Sequence, residues 1–357
     1  MAADLPTNTV WQDREIEFSL PVQYVAPRKG EFIIDELDDV EDTKGNNGER
    51  GTLRVTNLRL IWFAHRTKKV NLSVGLKNII SMTIRSASSR LRGVTQALYV
   101  LAKPHRLVSK FSSVPKHENK RYEFIFTYLV PDSPRLFTTV QAVHRAYDSS
   151  KMYRELKLRG AIIQDKQLIM LPTETLYSKV NGVWNLSSDQ GNLGHFFITS
   201  VRLVWHAALA ENFNVSIPYM QIKSVRIRDS SKFGMALVVE TAEDSGGFVL
   251  GFRVDPVARL KEVAKEIVSL FNMFSERPNF GVQFSLEDQP EGLDAVTVPV
   301  PDEDVVIAQV DEAAPAVGMY LADGDKNTDR PATFAPELGL AIEDLREGVT
   351  LEDLWTL

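Results

Sequence analysis

Clusters of basic residues are the part of this sequence with the clearest chemical meaning. Arg85, Arg90 and Arg92 lie in RSASSRLRG, a stretch without acidic residues that we interpret as a loop. Guanidinium groups bind phosphate through pairs of hydrogen bonds, so such a loop predicts contact with phosphate-bearing molecules. Taken over all clusters of this kind, the candidate phosphate-binding residues are Arg66, Lys68, Lys69, Arg85, Arg90, Arg92, Arg226, Arg228 and Lys232.

These clusters also have a simpler interpretation, in which the basic side chains are only solvated. The segment Lys103–Arg121 poses a similar choice, because it carries eight Lys, Arg or His residues and a single acid, Glu118. Leu107, Val108 and Phe111 are interleaved with these charges. The segment could rest on an anionic membrane or could be an unstructured loop, and the sequence does not distinguish the two.

No arrangement of residues in the sequence suggests catalysis. The chain has no cysteine, which excludes disulfides, thiolate zinc sites and cysteine nucleophiles. Its six histidines lack the spacing of metal ligands, and Gly45, Gly48 and Gly51 form a GxxGxxG pattern better explained by a hairpin turn than by a nucleotide loop. We therefore predict a protein that is not an enzyme, with no cofactor, no metal and no nucleic-acid partner.

Two arginines and three tryptophans are interpreted as structural. Arg59 and Arg202 each follow a predicted turn and lie near a tryptophan within a strand, so pairing with a carboxylate or with backbone carbonyls is favoured over ligand binding. Trp62, Trp205 and Trp184 are predicted core residues, because burial of rings of this size contributes several kcal/mol.

The net charge of −6 conceals an uneven distribution. Residues 281–357 contain 18 acidic and three basic residues, a net charge of −15, whereas residues 1–280 contain 38 basic and 29 acidic residues, a net charge of +9. Attraction of the first part to anionic surfaces is therefore expected. The alternative is that the two charges neutralise each other or only aid solubility. No apolar run approaches the ~20 residues of a membrane span, and no secretory signal is recognisable.

The elements that would position these residues occur twice along the chain. Gly48–Trp62 aligns with Gly191–Trp205, and the offset of 143 residues then continues without a gap to Arg85 and Arg228. Over residues 51–85, 12 of 35 positions are identical to those of the second copy. A register kept over this length indicates a tandem duplication. Because the second copy has Leu209, Ala210 and Glu211 in the turn where the first has Arg66, Lys68 and Lys69, the first copy is the better candidate for lipid binding.

Each copy is predicted to contain short strands followed by one helix. The strand signals are β-branched and aromatic runs, as in Leu53–Thr56 and Leu58–Phe63 around a polar break at Asn57. A helix then begins at Ser133–Pro134 in the first copy and at Asp255–Pro256 in the second, with an N-cap residue before the proline. The apolar stripes of these helices are Leu136, Val140, Val143 and Tyr147, and Val257, Leu260, Ala264, Ile267, Phe271 and Phe274.

The predicted fold class is mainly β with capping helices, in which each helix closes one end of a bent sheet or small barrel. The predicted order is a lead segment (1–29), a first module (30–158), a second module (162–277), an acidic disordered linker (281–333) and a C-terminal docking element (334–357). Within this last element, Leu338, Ala341, Ile342 and Leu345 are spaced as one helical face. The candidate partner-docking residues are Leu338, Ile342, Leu345, Leu354 and Trp355.

Strands closed by one C-terminal helix, with the strand–turn–strand sequence TNLRLIW, resemble the pleckstrin-homology (PH) superfamily and especially its GRAM and GLUE branches. Longer strings resemble the Bardet–Biedl syndrome 5 family over nearly the whole chain. Only Lys103–Arg121 departs from that resemblance, because it is longer than expected. The strings are LDDVEDTKGNNGERGTLRVTNLRLIW (37–62), LVPDSPRLFTTVQAVHRAY (129–147), NGVWNLSSDQGNLGHFFIT (181–199), NVSIPYMQI (214–222), IRDSSKFGMALVVE (227–240) and ELGLAIEDLREGVTLEDLW (337–355).

The resemblance implies a non-catalytic subunit of the BBSome, a coat-like complex that moves membrane proteins into and out of cilia. It implies binding to other BBSome subunits and to phosphoinositide lipids, with recruitment of the complex by an Arf-like GTPase. It also implies a cytoplasmic protein found peripherally at the cilium, the basal body and the ciliary membrane. The alternative function is a pure protein–protein scaffold whose PH-like lipid pockets are unused or covered in the complex.

Overall fold

The computed structural model of the chain describes residues 13–103, 121–186, 191–284, 320, 332–335 and 340–343. Most of Lys103–Arg121 and most of the acidic tail lie outside these residues, as do Leu338, Leu345, Leu354 and Trp355. Within the described part, two similar curled sheets follow each other along the chain, and each is accompanied by one long helix.

Module one is an eight-stranded antiparallel sheet with the strand order β1-β5-β4-β3-β2-β8-β7-β6. Its elements are β1 (Ile16–Phe18), α1 (Val22–Val25), β2 (Ile33–Asp42), β3 (Glu49–Thr56), β4 (Arg59–Ala64), β5 (Asn71–Gly75), β6 (Ile79–Ser89), β7 (Gly93–Ala102), β8 (Tyr122–Tyr128) and α2 (Arg135–Ser149). The edge strand β1 belongs to the predicted lead segment, yet it pairs with β5 and so extends the sheet of this module.

Module two repeats this arrangement with the order β16-β17-β18-β12-β13-β14-β15-β9. Its elements are β9 (Lys157–Leu158), β10 (Ile163–Gln164), β11 (Gln167–Leu168), β12 (Leu176–Asn185), β13 (Asn192–Thr199), β14 (Arg202–Ala207), β15 (Asn214–Pro218), β16 (Ile222–Ser230), β17 (Gly234–Thr241), β18 (Val249–Val254) and α3 (Val257–Glu276). The short pair β10–β11 covers the outer face of β13 and β14, where Ile163 and Leu168 pack against Phe197 and Val204.

The two tryptophans of the repeat occupy equivalent buried places, which confirms the duplication. Trp62 lies on β4 and Trp205 on β14, with exposed fractions of 0% and 1%. Each indole Nε1 donates to a backbone carbonyl at matching positions, Val40 O at 2.9 Å and Val183 O at 3.1 Å. The identical glycines before them make room for the indoles, since a methyl group added at Gly51 would lie 2.6 Å from Trp62 Cε2.

Trp184, by contrast, is not a core residue, and its predicted burial is wrong. Its neighbour Val183 is fully buried, whereas Trp184 is 37% exposed. Successive side chains of a strand point to opposite faces of the sheet, so only one of these two neighbours on β12 can reach the core.

Other identical positions of the repeat fix local turns. The Thr56 hydroxyl accepts from Arg59 N (2.9 Å) and donates to Arg59 O (3.0 Å), which closes the turn between β3 and β4. Thr199 makes the same two bonds with Arg202. Short polar side chains stabilise such turns by bonding to nearby backbone groups, so sequence identity here reflects a local geometric need.

Both helices carry the predicted apolar stripes, but they begin one residue later than predicted. Pro134 and Pro256 occupy the N-cap positions and form no side-chain cap. The predicted cap Asp255 instead forms an ion pair with Arg253 (3.0 Å), which removes its carboxylate from the helix amides. Val257, at the start of α3, is exposed, so this member of the predicted stripe is not part of the core.

The two modules share one continuous core, in which the short link between them and the segment after α3 are packed. Phe280 and Val282 are buried, so residues beyond 280 continue the packed structure up to the end of the described segment at 284. The buried Arg154 lies in the link and donates from Nη1 to Phe280 O (2.8 Å) and to Ser150 Oγ (2.9 Å). Its guanidinium also stacks on Tyr147, 3.8 Å from the ring centroid.

The C-terminal element contains a strand pair where the spacing predicted a helix. β19 (Ala332–Ala335) and β20 (Leu340–Glu343) are antiparallel, with Thr333 opposite Ile342. The predicted helical face through Ala341 and Ile342 is therefore wrong. A short apolar run fits both the helical and the strand period, so spacing alone cannot distinguish them.

Candidate functional site

The two arginines shared by the repeat are buried in matching ion pairs. Arg59 Nε lies 2.8 Å from Glu31 Oε1, and Arg202 Nε lies 2.7 Å from Glu174 Oε1, with all four side chains inaccessible to solvent. Each guanidinium also donates to a serine hydroxyl on the next strand, Ser73 or Ser216, at 3.3 Å. A backbone carbonyl accepts from Nη2 in each copy, Ala26 O at 3.2 Å and Ile169 O at 3.0 Å.

These contacts confirm the structural interpretation of Arg59 and Arg202. A buried guanidinium needs a paired carboxylate and further acceptors, and both arginines have them within the protein. They tie the segment just before β2 to β4 in module one, and the segment just before β12 to β14 in module two. Arg59 and Arg202 therefore contribute to the fold and do not present charge to a ligand.

The basic turn of module one presents its three basic side chains to solvent. Arg66, Lys68 and Lys69 are exposed between β4 and β5. The Lys68 ammonium lies 5.7 Å from the centroid of the Phe63 ring. The corresponding turn of module two carries Leu209, Ala210 and Glu211, as the alignment indicates.

Arg85, Arg90 and Arg92 do not form one loop, and that part of the prediction is wrong. Strand β6 runs to Ser89, so Arg85 lies within a strand, where its guanidinium stacks over Tyr99 at 5.7 Å. Only the tip of the hairpin between β6 and β7 remains a turn. Serines that alternate with small residues can form a strand as well as a loop. They form a strand when a partner strand is available, and the local sequence does not show whether one is.

The hairpin is also not acid-free in space. The buried Glu41 accepts from Arg90 N at 2.9 Å and from the Ser89 hydroxyl. Arg92 Nη1 donates to Tyr128 O at 3.0 Å. Glu41 and Tyr128 therefore fix the hairpin, and part of its basic character is used inside the protein.

The matching residues of module two are partly engaged as well. Arg226 and Arg228 lie on β16 and are exposed, and Arg228 Nη2 is 3.4 Å from Glu240 Oε1. Lys232 lies in the following turn, where its ammonium is 5.3 Å from the centroid of the Phe233 ring. The acidic neighbour Glu240 makes this surface less positive than the turn of module one.

The turn and the hairpin of module one flank the start of β3. His65 N donates to Arg50 O at 3.1 Å, which places the turn beside that strand. Gly48 lies against Arg90, since a methyl group added there would be 3.0 Å from Arg90 Cβ. We call this part of module one, formed by residues 43–50, 65–70 and 89–93, the basic end.

A tyrosine from the acidic tail is buried at the basic end. Tyr320 is 1% exposed; its ring is stacked on Phe18 and tilted against Phe124, with 5.1 Å between ring centroids in each case. Its hydroxyl donates to Asp42 Oδ2 and accepts from Asn46 Nδ2 at 2.6 Å. We call the site formed by Phe18, Asp42, Gly45, Asn46 and Phe124 the tyrosine slot.

The slot places a carboxylate in an unusual environment. Burial raises the pKa of Asp42 to about 6, with a smaller contribution from the nearby Glu41. Hydrogen bonds from Tyr320, the Gly45 amide and Asn46 oppose this change by stabilising the carboxylate. Burial and the adjacent Asp42 raise the pKa of Tyr320 well above its usual value, so its hydroxyl keeps its proton.

Tyr320 was missed by the sequence reasoning, which assigned residues 281–333 to a disordered linker. One signal could have indicated it, because Tyr320 is the single aromatic residue between Phe284 and Phe334. A lone aromatic residue in an acidic stretch has few reasons to be there other than contact with something apolar.

The described residues contain no group of His, Asp or Glu side chains that could hold a metal ion. None of the helices among them is long and apolar enough to cross a membrane.

Comparison with known proteins identifies the family. Models of the N-terminal and second PH-like domains of the Bardet–Biedl syndrome 5 protein match residues 31–149 and 157–284. The BBSome complex member BBS5 of Danio rerio is 56% identical over 348 residues, covering 98% of this chain and 97% of the relative. The chain belongs to the Bardet–Biedl syndrome 5 family.

Relatives from Homo sapiens and, at lower identity, from Caenorhabditis elegans agree with this assignment. The BBSome complex member BBS5 of Homo sapiens is 54% identical over 348 residues, covering 98% of both chains. The BBSome complex member bbs-5 of Caenorhabditis elegans is 43% identical over 363 residues, covering 98% of this chain and 97% of the relative. The predicted fold class, two tandem PH-like domains in a mainly β protein, is confirmed, and the chain is not an enzyme, because PH-like domains are not catalytic.

Proposed function

We propose that the chain is a non-catalytic subunit of a BBSome complex, which contacts phosphoinositide-containing membrane through the basic end of module one and partner subunits through other surfaces. The proposed membership in the BBSome rests on the similarity to BBSome complex members over 98% of the chain. As a BBSome subunit, the chain would lie peripherally at the cilium, the basal body and the ciliary membrane. It would take part in the transport of membrane proteins, in a complex that is recruited by an Arf-like GTPase.

The proposed contact with membrane lipids rests on the charge and the exposure of module one. Residues 1–280 have a net charge of +9, and the exposed Arg66, Lys68 and Lys69 lie at the same end of module one as Arg90. Each Lys or Arg at an anionic bilayer contributes roughly 1 kcal/mol, and this attraction decreases within a Debye length. Arg92 contributes less, because backbone carbonyls hold its guanidinium.

A vesicle experiment tests this assignment. Changing Arg66, Lys68 and Lys69 to Glu in the full chain should lower the apparent affinity for phosphoinositide vesicles at least ~100-fold. The matched control changes Arg226, Arg228 and Lys232 to Glu, which alters the charge equally and should have a smaller effect. Sedimentation at low and at physiological salt measures both. Equal binding by the wild type and the turn variant would reject the lipid assignment.

A scaffold without lipid contact is the second candidate function. It is favoured by the intramolecular contacts of Arg85, Arg92 and Arg228, which use part of the basic surface. In cells depleted of their own copy, a tagged chain should recover the other BBSome subunits in either case. If the turn variant restores the complex and also the ciliary transport of cargo, the scaffold function is sufficient. If no BBSome subunit is recovered with the wild type, membership is wrong.

A further inference from the structure

The tyrosine slot lies at the end of module one opposite the helix. Arg135 and Thr139 of α2 bond to Asp35 near the start of β2, whereas Tyr320 bonds to Asp42, the last residue of that strand. These points are seven residues apart along β2, at most roughly 23 Å, since a bulge between Leu37 and Val40 shortens the strand. The helix therefore closes one end of the module, and Tyr320 closes the other.

The shape and chemistry of the slot are selective for a tyrosine. The ring contacts two aromatic side chains, Phe18 and Phe124, and the hydroxyl meets one acceptor, Asp42, and one donor, Asn46. Phenylalanine would leave both polar groups without this partner, and a phosphorylated tyrosine would place negative charge against Asp42. The site is built for an unmodified tyrosine side chain.

Gly45 makes the fit possible. A methyl group added at Gly45 would lie 2.1 Å from Tyr320 Cζ and 2.2 Å from its hydroxyl oxygen. The backbone of Gly45 is extended, with φ −101° and ψ 179°, so alanine is tolerated there whenever the slot is empty. The glycine is needed by the occupant and not by the turn.

Among the described residues, module two lacks two of the groups that form the slot. The strand pairing that joins Asp42 to Phe126 in module one joins Asn185 to Phe252 in module two. Asn185 therefore replaces Asp42, and Leu250 stands where module one has the stacking ring of Phe124. The slot was not part of the shared repeat, which points to a role specific to module one.

The occupant brings acidic residues to the basic end. Asp323 and Asp325 follow Tyr320 by three and five residues, so the covalent chain keeps them within roughly 18 Å of the slot. The whole segment 281–357 carries a net charge of −15. A tail held by its tyrosine at this end therefore competes with anionic membrane for the exposed turn of module one.

We propose that the slot is an internal docking site for Tyr320, through which the acidic tail restrains the basic end of module one until the tyrosine is released. The masking part of this inference rests on the proposed lipid binding, whereas the docking part does not.

Docking is tested in the full chain by the distance between two spin labels. The chain has no cysteine, so Thr67→Cys, in the exposed turn, and Ala322→Cys, next to the docked segment, label it specifically. A narrow, short distance distribution is expected for the otherwise native chain. Tyr320→Ala and Gly45→Ala, which empty the slot from opposite sides, should both broaden it, and the double variant should broaden it no further. One unchanged distribution in all four chains would overturn the docking site.

The class of ligand is tested with peptides of residues 315–326 added to the labelled Tyr320→Ala chain and, separately, to the Gly45→Ala chain. The unmodified peptide should protect the amides around Gly45 from hydrogen exchange in the first chain and not in the second, where the added methyl blocks the slot. Two altered peptides, one carrying Tyr320→Phe and one phosphorylated on its tyrosine, should protect the first chain at least ~10-fold less well. Equal protection by all three peptides would show that the slot is not selective for tyrosine.

The masking step is tested with the same variants on phosphoinositide vesicles. Tyr320→Ala and Gly45→Ala should each raise the apparent affinity roughly five- to thirtyfold at low salt, equivalent to freeing one or two basic residues. Masking would be overturned if the variants broadened the spin-label distance distribution but bound the vesicles no more tightly than the wild type. If neither the wild type nor any variant binds vesicles, the proposed lipid function fails, while the docking site is judged by the spin labels alone.

Discussion

At the residue scale, burial distinguishes basic residues that stabilise the fold from basic residues that are available to a ligand. Arg59 and Arg202 each lie opposite a carboxylate at 2.8 Å or less, and neither side chain of the pair reaches solvent. Arg54 and Glu36 are 3.0 Å apart on the same sheet but remain partly exposed. Similar distances therefore represent different energies, because water screens the second pair.

Removing one partner of the buried pairs should be strongly destabilising. Glu31→Ala and Glu174→Ala should each lower the free energy of unfolding by about 3–5 kcal/mol, since a buried guanidinium then lacks its counter-ion. Glu36→Ala, the control at the exposed pair, should cost less than about 1 kcal/mol. Urea denaturation measures all three. Equal small losses would mean that water reaches the buried arginines.

Asp42 should give the protein an unusual pH dependence. Its pKa is raised to about 6 in the folded state from a reference of 3.8, so folding favours the protonated form. Its stabilising contribution is therefore complete below pH 3.8 and is lost as the pH rises through 6. Between pH 5 and pH 7 the wild type should lose roughly 1–2 kcal/mol relative to Asp42→Asn, which cannot ionise. Parallel pH profiles of urea denaturation for the two chains would contradict this.

At the scale of elements, the same local sequence can serve different structures. The basic stretch around Arg85 forms a strand and a tight hairpin, and the apolar run around Ile342 forms β20 and not a helix. Both segments form backbone hydrogen bonds to a partner strand. The sequence of one segment alone does not indicate that partner.

The C-terminal element remains a predicted docking site for partner subunits. Changing Leu345 and Trp355 to Ala should weaken incorporation into the complex, because apolar anchor residues supply much of the energy of protein–protein contacts. The melting of the two modules should be unchanged, which serves as the control for folding. Undiminished co-purification of partner subunits would argue against docking through these residues.

At the scale of the whole molecule, Arg154 links the two modules. It bonds to residues of the helix end of module one and to Phe280 after α3, and its own carbonyl accepts from Gln221 in module two. Arg154→Met keeps much of the side-chain volume but removes the donors. In calorimetry we expect one thermal transition for the wild type and two for this variant, with both modules still folded by circular dichroism. A single transition at an unchanged temperature would show that apolar contacts alone join the modules.

The sequence by itself determined the repeated unit. The offset of 143 residues predicted equivalent buried positions for Trp62 and Trp205. The position of Arg59 and Arg202 in a strand near a tryptophan predicted their structural role, and the structure confirms both predictions. These features depend on contacts within one module, where periodicity and residue type are sufficient to assign a face. The division of charge and the absence of cysteine likewise follow from composition alone.

Only the tertiary structure decided which surfaces are free. It turned Trp184 outward, placed Glu41 beneath the basic hairpin and brought Tyr320 to Asp42 across 278 residues of chain. Contacts over such separations leave no periodic signal in the sequence, because they depend on how complete sheets pack and where a distant segment returns. The exposed turn of Arg66, Lys68 and Lys69 and the occupied slot beside it therefore became visible together only in the fold.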